Sequence, residues 1–201
     1  MVTKRRSGVE TREHVLQVAR ELFYRNGIRA TGVDRVAAEA GVAPTTLYRL
    51  FASKDDLVAA YLEREDLHYR EWFTAAVDSE VEPRARILAV FDALAVQVRP
   101  DQCRGCPFLI ALDEIPDRDL ASHKNAVTMK TWVRAQFIRL AEEFTAGTSV
   151  MEPAELADQL MLVMEGVYAT VAEFGAEGPA ARARDLVRTL LATDRPPIPR
   201  Q

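Results

Sequence analysis

The chain has 201 residues, 48% of them apolar and 28% charged, proportions that exclude a disordered or fibrous protein. No uninterrupted apolar run approaches the roughly 18 residues of a membrane span, and Lys4, Arg5 and Arg6 lead into no apolar block, so a soluble cytoplasmic protein with no secretory signal and no membrane partner is expected. The net charge of −4 is unevenly placed: residues 1–60 hold 10 Lys/Arg against 7 Asp/Glu, residues 61–201 hold 16 against 23, and a basic head on an acidic body suits a chain that offers one end to a polyanion.

No segment alternates with a period of two over any length, and every periodic stretch repeats at three- and four-residue steps, so the expected fold class is all-α. A first helix is predicted from Thr11, as N-cap, to Asn26, with Val15, Leu16, Val18, Ala19, Leu22 and Phe23 on its apolar face and Asn26-Gly27 closing it. A short second helix through Val33, Val36, Ala37 and Ala40 opens at Thr31 or Gly32 and stops at Gly41. Pro44 starts a third, Thr45 to about Phe51. Ser53 with Asp56 three residues on is a capping-box-like pair that opens a long helix through Leu57, Tyr61, Leu67 and Trp72.

Prolines punctuate the rest. Pro83 begins a helix to about Val98, Pro100 to Cys106 is a loop, and Pro107 begins a short helix ended by Pro116. Leu120 to Phe144, Pro153 to Gly175 and Pro179 to about Ala192 complete nine helices; the tail Arg195-Pro196-Pro197-Ile198-Pro199 cannot be helical.

Three helices in the first 51 residues, the last two separated by Ala40-Gly41-Val42-Ala43, have the spacing of a helix-turn-helix, in which the second paired helix enters the major groove and the first crosses the backbone. Within the third helix Leu47 and Phe51 lie four apart and pack inward, which leaves Thr45, Thr46, Tyr48 and Arg49 outward. Hydroxyls bond phosphates or bases, a threonine methyl touches thymine, and a guanidinium pairs with guanine or phosphate. Lys54, at the start of the next helix, adds an ammonium beside open backbone N–H groups.

The run from Thr31-Gly32-Val33-Asp34-Arg35 through Ala40-Gly41-Val42, Leu47-Tyr48, Phe51 and Lys54-Asp55-Asp56-Leu57 resembles the N-terminal signature of the TetR family of regulators in residue type and spacing. The resemblance implies a DNA-binding domain over 1–60, with its helix-turn-helix at about 32–51, and a ligand-binding and dimerisation domain over 61–201. It implies double-stranded DNA as a partner, with Tyr48 and Lys54 on phosphate, Thr46 and Arg49 facing the groove, Thr31 or Gly32 at the phosphate-touching start of the second helix, and Arg35 and Thr45 among the DNA-binding residues. Two positions depart from the pattern: Leu50 stands where a tyrosine or histidine is common, and Ala43 replaces the usual serine cap.

The stretch from Arg104 to Leu112, with Glu114, Pro116, Asp117 and His123-Lys124, is similar to a recurring subset of the same family but specifies no ligand. The family dimerises through its last two helices, which implies a homodimer and an interface at Leu160, Met161, Val167, Val171, Leu186 and Leu190. The helix from Pro153 carries more apolar side chains than one face needs; its own core or a symmetric partner supplies the second side, and the partner is favoured because two reading helices one DNA turn apart require a dimer. Candidate pocket residues for a small, mostly apolar effector are Phe91, Leu94, Phe108, Leu112, Trp132, Phe137, Met164 and Tyr168, with Trp132 and Tyr168 carrying polar handles. Any one of them also reads as plain core.

Cys103 and Cys106 flank Arg104-Gly105, and a cation beside a thiol raises its reactivity, so a redox switch or a thiol-disulfide enzyme is an alternative to a buried, reduced Cys106. No histidine lies near either cysteine in sequence to act as a base. Asp113, Glu114 and His123 read as a salt bridge or solvated turn rather than a metal site. The expectation is a non-enzymatic, cofactor-free DNA-binding regulator, a repressor released by its effector; a helical interaction protein that never meets DNA is the remaining alternative.

Overall fold

A computed structural model describes residues 7–99, 103–146, 151–175 and 177–192. Among these residues the chain is all-helical: α1 (Gly8–Asn26), α2 (Val33–Glu39), α3 (Pro44–Leu50), α4 (Lys54–Asp78), α5 (Pro83–Gln97), α6 (Pro107–Glu114), α7 (Ala121–Thr145), α8 (Pro153–Phe174) and α9 (Ala183–Leu190). The all-α fold class and the nine helices agree with the sequence reading.

The first boundary differs. The N-cap of α1 is Ser7 rather than Thr11: Glu10 N donates to Ser7 Oγ at 3.2 Å while Ser7 N donates to the Glu10 carboxylate at 2.7 Å, a complete capping box. Thr11 is already helical, its hydroxyl donating to Ser7 O at 2.8 Å. Gly8 and Val9, weak helix formers, hide the true start. At α4 the expected pair holds: Asp56 N donates to Ser53 Oγ at 3.0 Å, and the Ser53 hydroxyl donates to the Asp56 carboxylate at 2.9 Å. Pro44, Pro83, Pro107 and Pro153 each open a helix, where the missing N–H is no loss. Pro179 instead opens a 3-10 turn, Pro179–Arg182, that leads into α9, which ends at Leu190. Residues 100–102 of the expected loop and the tail from Arg195 to Pro199 lie outside the described residues.

The chain divides into two compact units. One takes in the described residues up to Leu67 together with Pro107–Thr128; the other takes in His68–Cys106 and the described residues from Met129 onward. In the first unit Val15, Leu16, Ala19 and Phe23 of α1, Val36 and Ala37 of α2, Leu47 of α3, Phe51, and Leu57, Val58, Tyr61 and Leu62 of α4 are buried together. Arg20 reaches Glu65 at 2.5 Å, and Asn125 donates to Ala59 O at 3.3 Å. The start of α7 is capped from α4: the Asp55 carboxylate accepts from Ala121 N at 3.0 Å, from Ser122 N at 3.3 Å and from the Ser122 hydroxyl.

The second unit has its own core. Phe73 of α4 meets Phe137 of α7 edge-on at 5.6 Å, and Phe91 of α5 stacks on the same ring at 6.0 Å. Leu156, Leu160, Met164, Val167 and Val171 of α8 are buried, as is Val187 of α9, which packs against α5 and α8 and is held to α5 by the Arg184–Asp92 ion pair.

Asp55→Ala strips three donors of their acceptor, including a Ser122 hydroxyl that is wholly buried. The expected loss is about 2 kcal/mol or more of folding stability, read as a lower urea midpoint. An unchanged midpoint would show that the cap carries no weight.

Candidate nucleic-acid interface

The direction of α3 is set by the turn before it. At the end of α2, Gly41 N donates to Ala38 O at 3.1 Å and Val42 N to Ala37 O at 3.0 Å, the paired bonds that satisfy a helix's last carbonyls around a left-handed residue. Gly41 occupies that position at φ +65, where any Cβ would be strained. The chain then extends through Ala43 and enters α3 at Pro44. Ala43 makes no side-chain cap bond, so the departure from the usual serine leaves α3 to start on Pro44 alone.

Leu47 and Phe51 are buried, and the Arg12 guanidinium lies over the Phe51 ring at 5.0 Å. With that side anchored, Thr45 and Arg49 are exposed, Thr46 is half-buried and Tyr48 is 50% exposed. Gly32, the N-cap of α2, and Arg35 on its outer side are exposed as well. An aromatic hydroxyl, one threonine and two guanidiniums are thus held in the open by α2 and α3.

Two residues differ from expectation. Thr31 is 0% exposed and its hydroxyl donates to Leu22 O at 3.3 Å; its side chain closes the loop after α1, and of the pair Thr31 or Gly32 it is Gly32 that is open to a phosphate. Lys54 is half-buried, with its ammonium 3.4 Å from Arg29 O. Burial lowers the pKa of Lys54, and the nearby Glu114 carboxylate opposes that shift without cancelling it.

Glu114, which the sequence reads as part of a salt bridge or a solvated turn, is the last residue of α6. Its Oε2 accepts from Arg29 N at 2.6 Å, in the loop between α1 and α2. Gly27, at φ +93, leaves room for the carboxylate: a Cβ there would meet Glu114 Oε1 at 3.0 Å. His123 Nδ1 lies 2.7 Å from Ile115 O. No group of three or more His, Cys, Asp or Glu that would hold a metal ion occurs among the described residues.

Of the proposed pocket residues, Phe91, Leu94, Trp132, Phe137, Met164 and Tyr168 belong to the second unit and Phe108 and Leu112 to the first. Trp132 is half-buried with the Arg70 guanidinium 4.4 Å from its ring, and Phe91 and Phe137 fill each other's space. Of the proposed interface residues, Leu160, Val167 and Val171 are buried within the chain itself. Met161 and Leu190 are half-buried and Leu186 is exposed; Leu162, 72% exposed, and Phe174 are further large apolar side chains left in the open on α8.

A basic-headed helical chain with this turn and this reading helix is a helix-turn-helix regulator. The model of the family "Bacterial regulatory proteins, tetR family" matches residues 15–61. The structure of SCO4454, a TetR-family transcriptional regulator from Streptomyces coelicolor, superposes with a TM-score of 0.85 at 31% identity, covering 91% of this chain and 95% of that one. The sav143 protein of Streptomyces avermitilis does so at 0.75 and 30%, covering 90% and 96%. The transcriptional activator FasR of Mycolicibacterium smegmatis is 28% identical over 119 residues, 59% of this chain and 54% of that protein. The chain thus spans about half the length of this curated relative, and a match to a Staphylococcus aureus regulator, 33% identical over 61 residues, covers 33% of that protein. The chain belongs to the TetR family of DNA-binding transcriptional regulators, whose members are not enzymes.

Gly41→Ala adds a Cβ that meets nothing within 4 Å, so only backbone strain is at stake. A loss of about 1 kcal/mol is expected, measured by urea unfolding. A neutral result would mean that the turn before α3 relaxes without cost.

Proposed function

We propose that the protein is a repressor that binds a palindromic operator as a homodimer and leaves it when a small, mostly apolar effector binds the body. The DNA-binding domain is residues 1–60 and the ligand-binding and dimerisation domain residues 61–201. The observation that carries the reading is the exposed face of α3, where Thr45, Tyr48 and Arg49 stand outward while Leu47 and Phe51 are buried. Arg49 and Thr46 read base edges; Tyr48, Gly32, Arg35 and Lys54 hold phosphates. Two such faces about 34 Å apart match successive major grooves, which one chain cannot span.

The second copy docks on the outer side of α8 and α9. Leu162, Phe174 and Leu186 are large apolar side chains left in the open there, and Gly166 and Ala169, also exposed on α8, let a second backbone come close. An effector acts only through unequal affinity for the DNA-competent and incompetent shapes. FasR is named an activator, so the sign of regulation is read by a reporter: deletion of the gene raises transcription from the bound promoter under the repressor reading and lowers it under the other.

Gel shifts with fragments of the gene's own upstream region test the interface. Arg49→Ala weakens binding to a specific fragment by about ten- to a hundredfold, while Arg35→Ala weakens specific and unrelated DNA alike and flattens the salt dependence. Tight, specific binding that survives Arg49→Ala together with Tyr48→Ala removes α3 as the reading helix. For the dimer, Leu162→Glu combined with Leu186→Glu is expected to yield a folded monomer in sedimentation; a dimer of unaltered stability places the interface elsewhere.

A further inference from the structure

Arg29, in the loop between α1 and α2, is gripped at both of its backbone groups. Its N–H donates to Glu114 Oε2 at 2.6 Å, and its carbonyl accepts from the Lys54 ammonium at 3.4 Å. Glu114 ends α6 and Lys54 begins α4, so a single loop residue brings together a carboxylate and an ammonium from two helices. All three residues belong to one compact unit. The carboxylate is closely fitted on its other side as well. Glu114 Oε1 stands 3.0 Å from where a Cβ of Gly27 would lie, and Gly27 has φ +93, so a side chain there would be strained and would crowd the carboxylate.

Glu114 acts in two separable ways. As an acceptor it satisfies Arg29 N and so holds the loop whose carbonyl holds Lys54. As a charge it is felt by the ammonium: burial lowers the pKa of Lys54, and Glu114 raises it against that effect. A neutral amide oxygen would serve the first purpose equally, since a backbone N–H needs only an acceptor. The charge does something more. An ammonium has three N–H donors, and the one on Arg29 O leaves two for a phosphate. A carboxylate near enough to stabilise that ammonium also repels the phosphate it would hold.

We propose that Glu114 is a positioning residue for DNA binding: it places Lys54 through Arg29 and, by its charge, weakens the grip of that ammonium on a phosphate. This rests on the phosphate contact given to Lys54 in the proposed function. Phosphate contacts carry no sequence information, so the restraint falls equally on specific and unrelated DNA and leaves the choice of sequence to the residues that read base edges.

Charge and acceptor are separated by Glu114→Gln, which keeps an oxygen, and Glu114→Ala, which keeps neither. Binding of the full chain is measured by fluorescence anisotropy with two duplexes, one from the gene's own upstream region and one of unrelated sequence. Glu114→Gln is expected to bind both about three- to tenfold more tightly at low salt, with the gain shrinking as salt is added. Its urea midpoint stays near that of the unaltered chain, whereas Glu114→Ala lowers the midpoint because Arg29 N loses its acceptor. The gain vanishes in a Lys54→Met background, because the charge acts through that ammonium. Unchanged or weaker binding by Glu114→Gln, or a gain that persists in Lys54→Met, overturns the inference. The NMR signal of Lys54 Cε supplies a readout that needs no DNA: its titration midpoint falls in Glu114→Gln, and an unmoved midpoint also overturns the inference. If Lys54→Met alone binds both duplexes as tightly as the unaltered chain, the phosphate contact of Lys54 is refuted and the inference falls with it. If Lys54→Met weakens binding while Glu114→Gln changes nothing, that contact stands and the role of Glu114 alone is refuted.

Discussion

The burial of Leu47 and Phe51 is the constraint on which the exposed polar face of α3 depends. A helix of seven residues has too few backbone bonds to persist alone, so α3 exists because its inner side chains are taken out of water, each contributing about 1.5–3 kcal/mol. Burial also fixes rotation. With residues 47 and 51 inward, the periodicity of the helix sends 45, 48 and 49 outward, and the left-handed Gly41 sets the direction from which the chain enters. The Arg12 guanidinium over Phe51 adds α1 to the same anchor, so the exposed polar face is a consequence of packing on the opposite side.

The compact unit that holds the head is not contiguous in sequence. Pro107–Thr128 belongs to it, through two carboxylates that answer backbone N–H groups far away in the chain. Asp55 of α4 caps α7 across 66 and 67 residues, and Glu114 of α6 meets Arg29 N across 85. Hydrogen bonds from charged acceptors to backbone donors are stronger than neutral ones and are directional. They therefore locate α6 and the start of α7 against the loop between α1 and α2 and against α4.

Local signals were legible and long-range ones were not. Proline at the first turn, Ser53 with Asp56, and Gly41 each announce a boundary through the chemistry of a single turn, and the structure has helices starting or stopping there. The Ser7–Glu10 box obeys the same grammar but was overlooked because Gly8 and Val9 dilute the helical signal. Thr31 read as a surface hydroxyl because nothing in its neighbours reveals that Leu22 O is its acceptor. In α8 composition alone showed an excess of apolar residues; the phase that buries Leu160, Val167 and Val171 and exposes Leu162 depends on α9 and the 3-10 turn packing beside it. Glu114 and Asp55 could not be read at all, since their partners are set by tertiary structure.

The cluster that Lys130 forms with Cys106 and Glu165 is costly to bury. Withdrawing an ammonium and a carboxylate from water costs several kcal/mol each, and their attraction rarely returns more than a well-packed apolar pair of the same size would give. A core selected for stability alone has no need of a lysine between a cysteine and a glutamate. Charges so placed are sensitive to the loss of any one partner, because removing it leaves the others unsatisfied in a medium that screens little. That sensitivity is a liability in a purely structural core. The cluster is compatible with a folded state because Lys130 has the Cys106 sulfur and the Glu165 carboxylate both within hydrogen-bond distance.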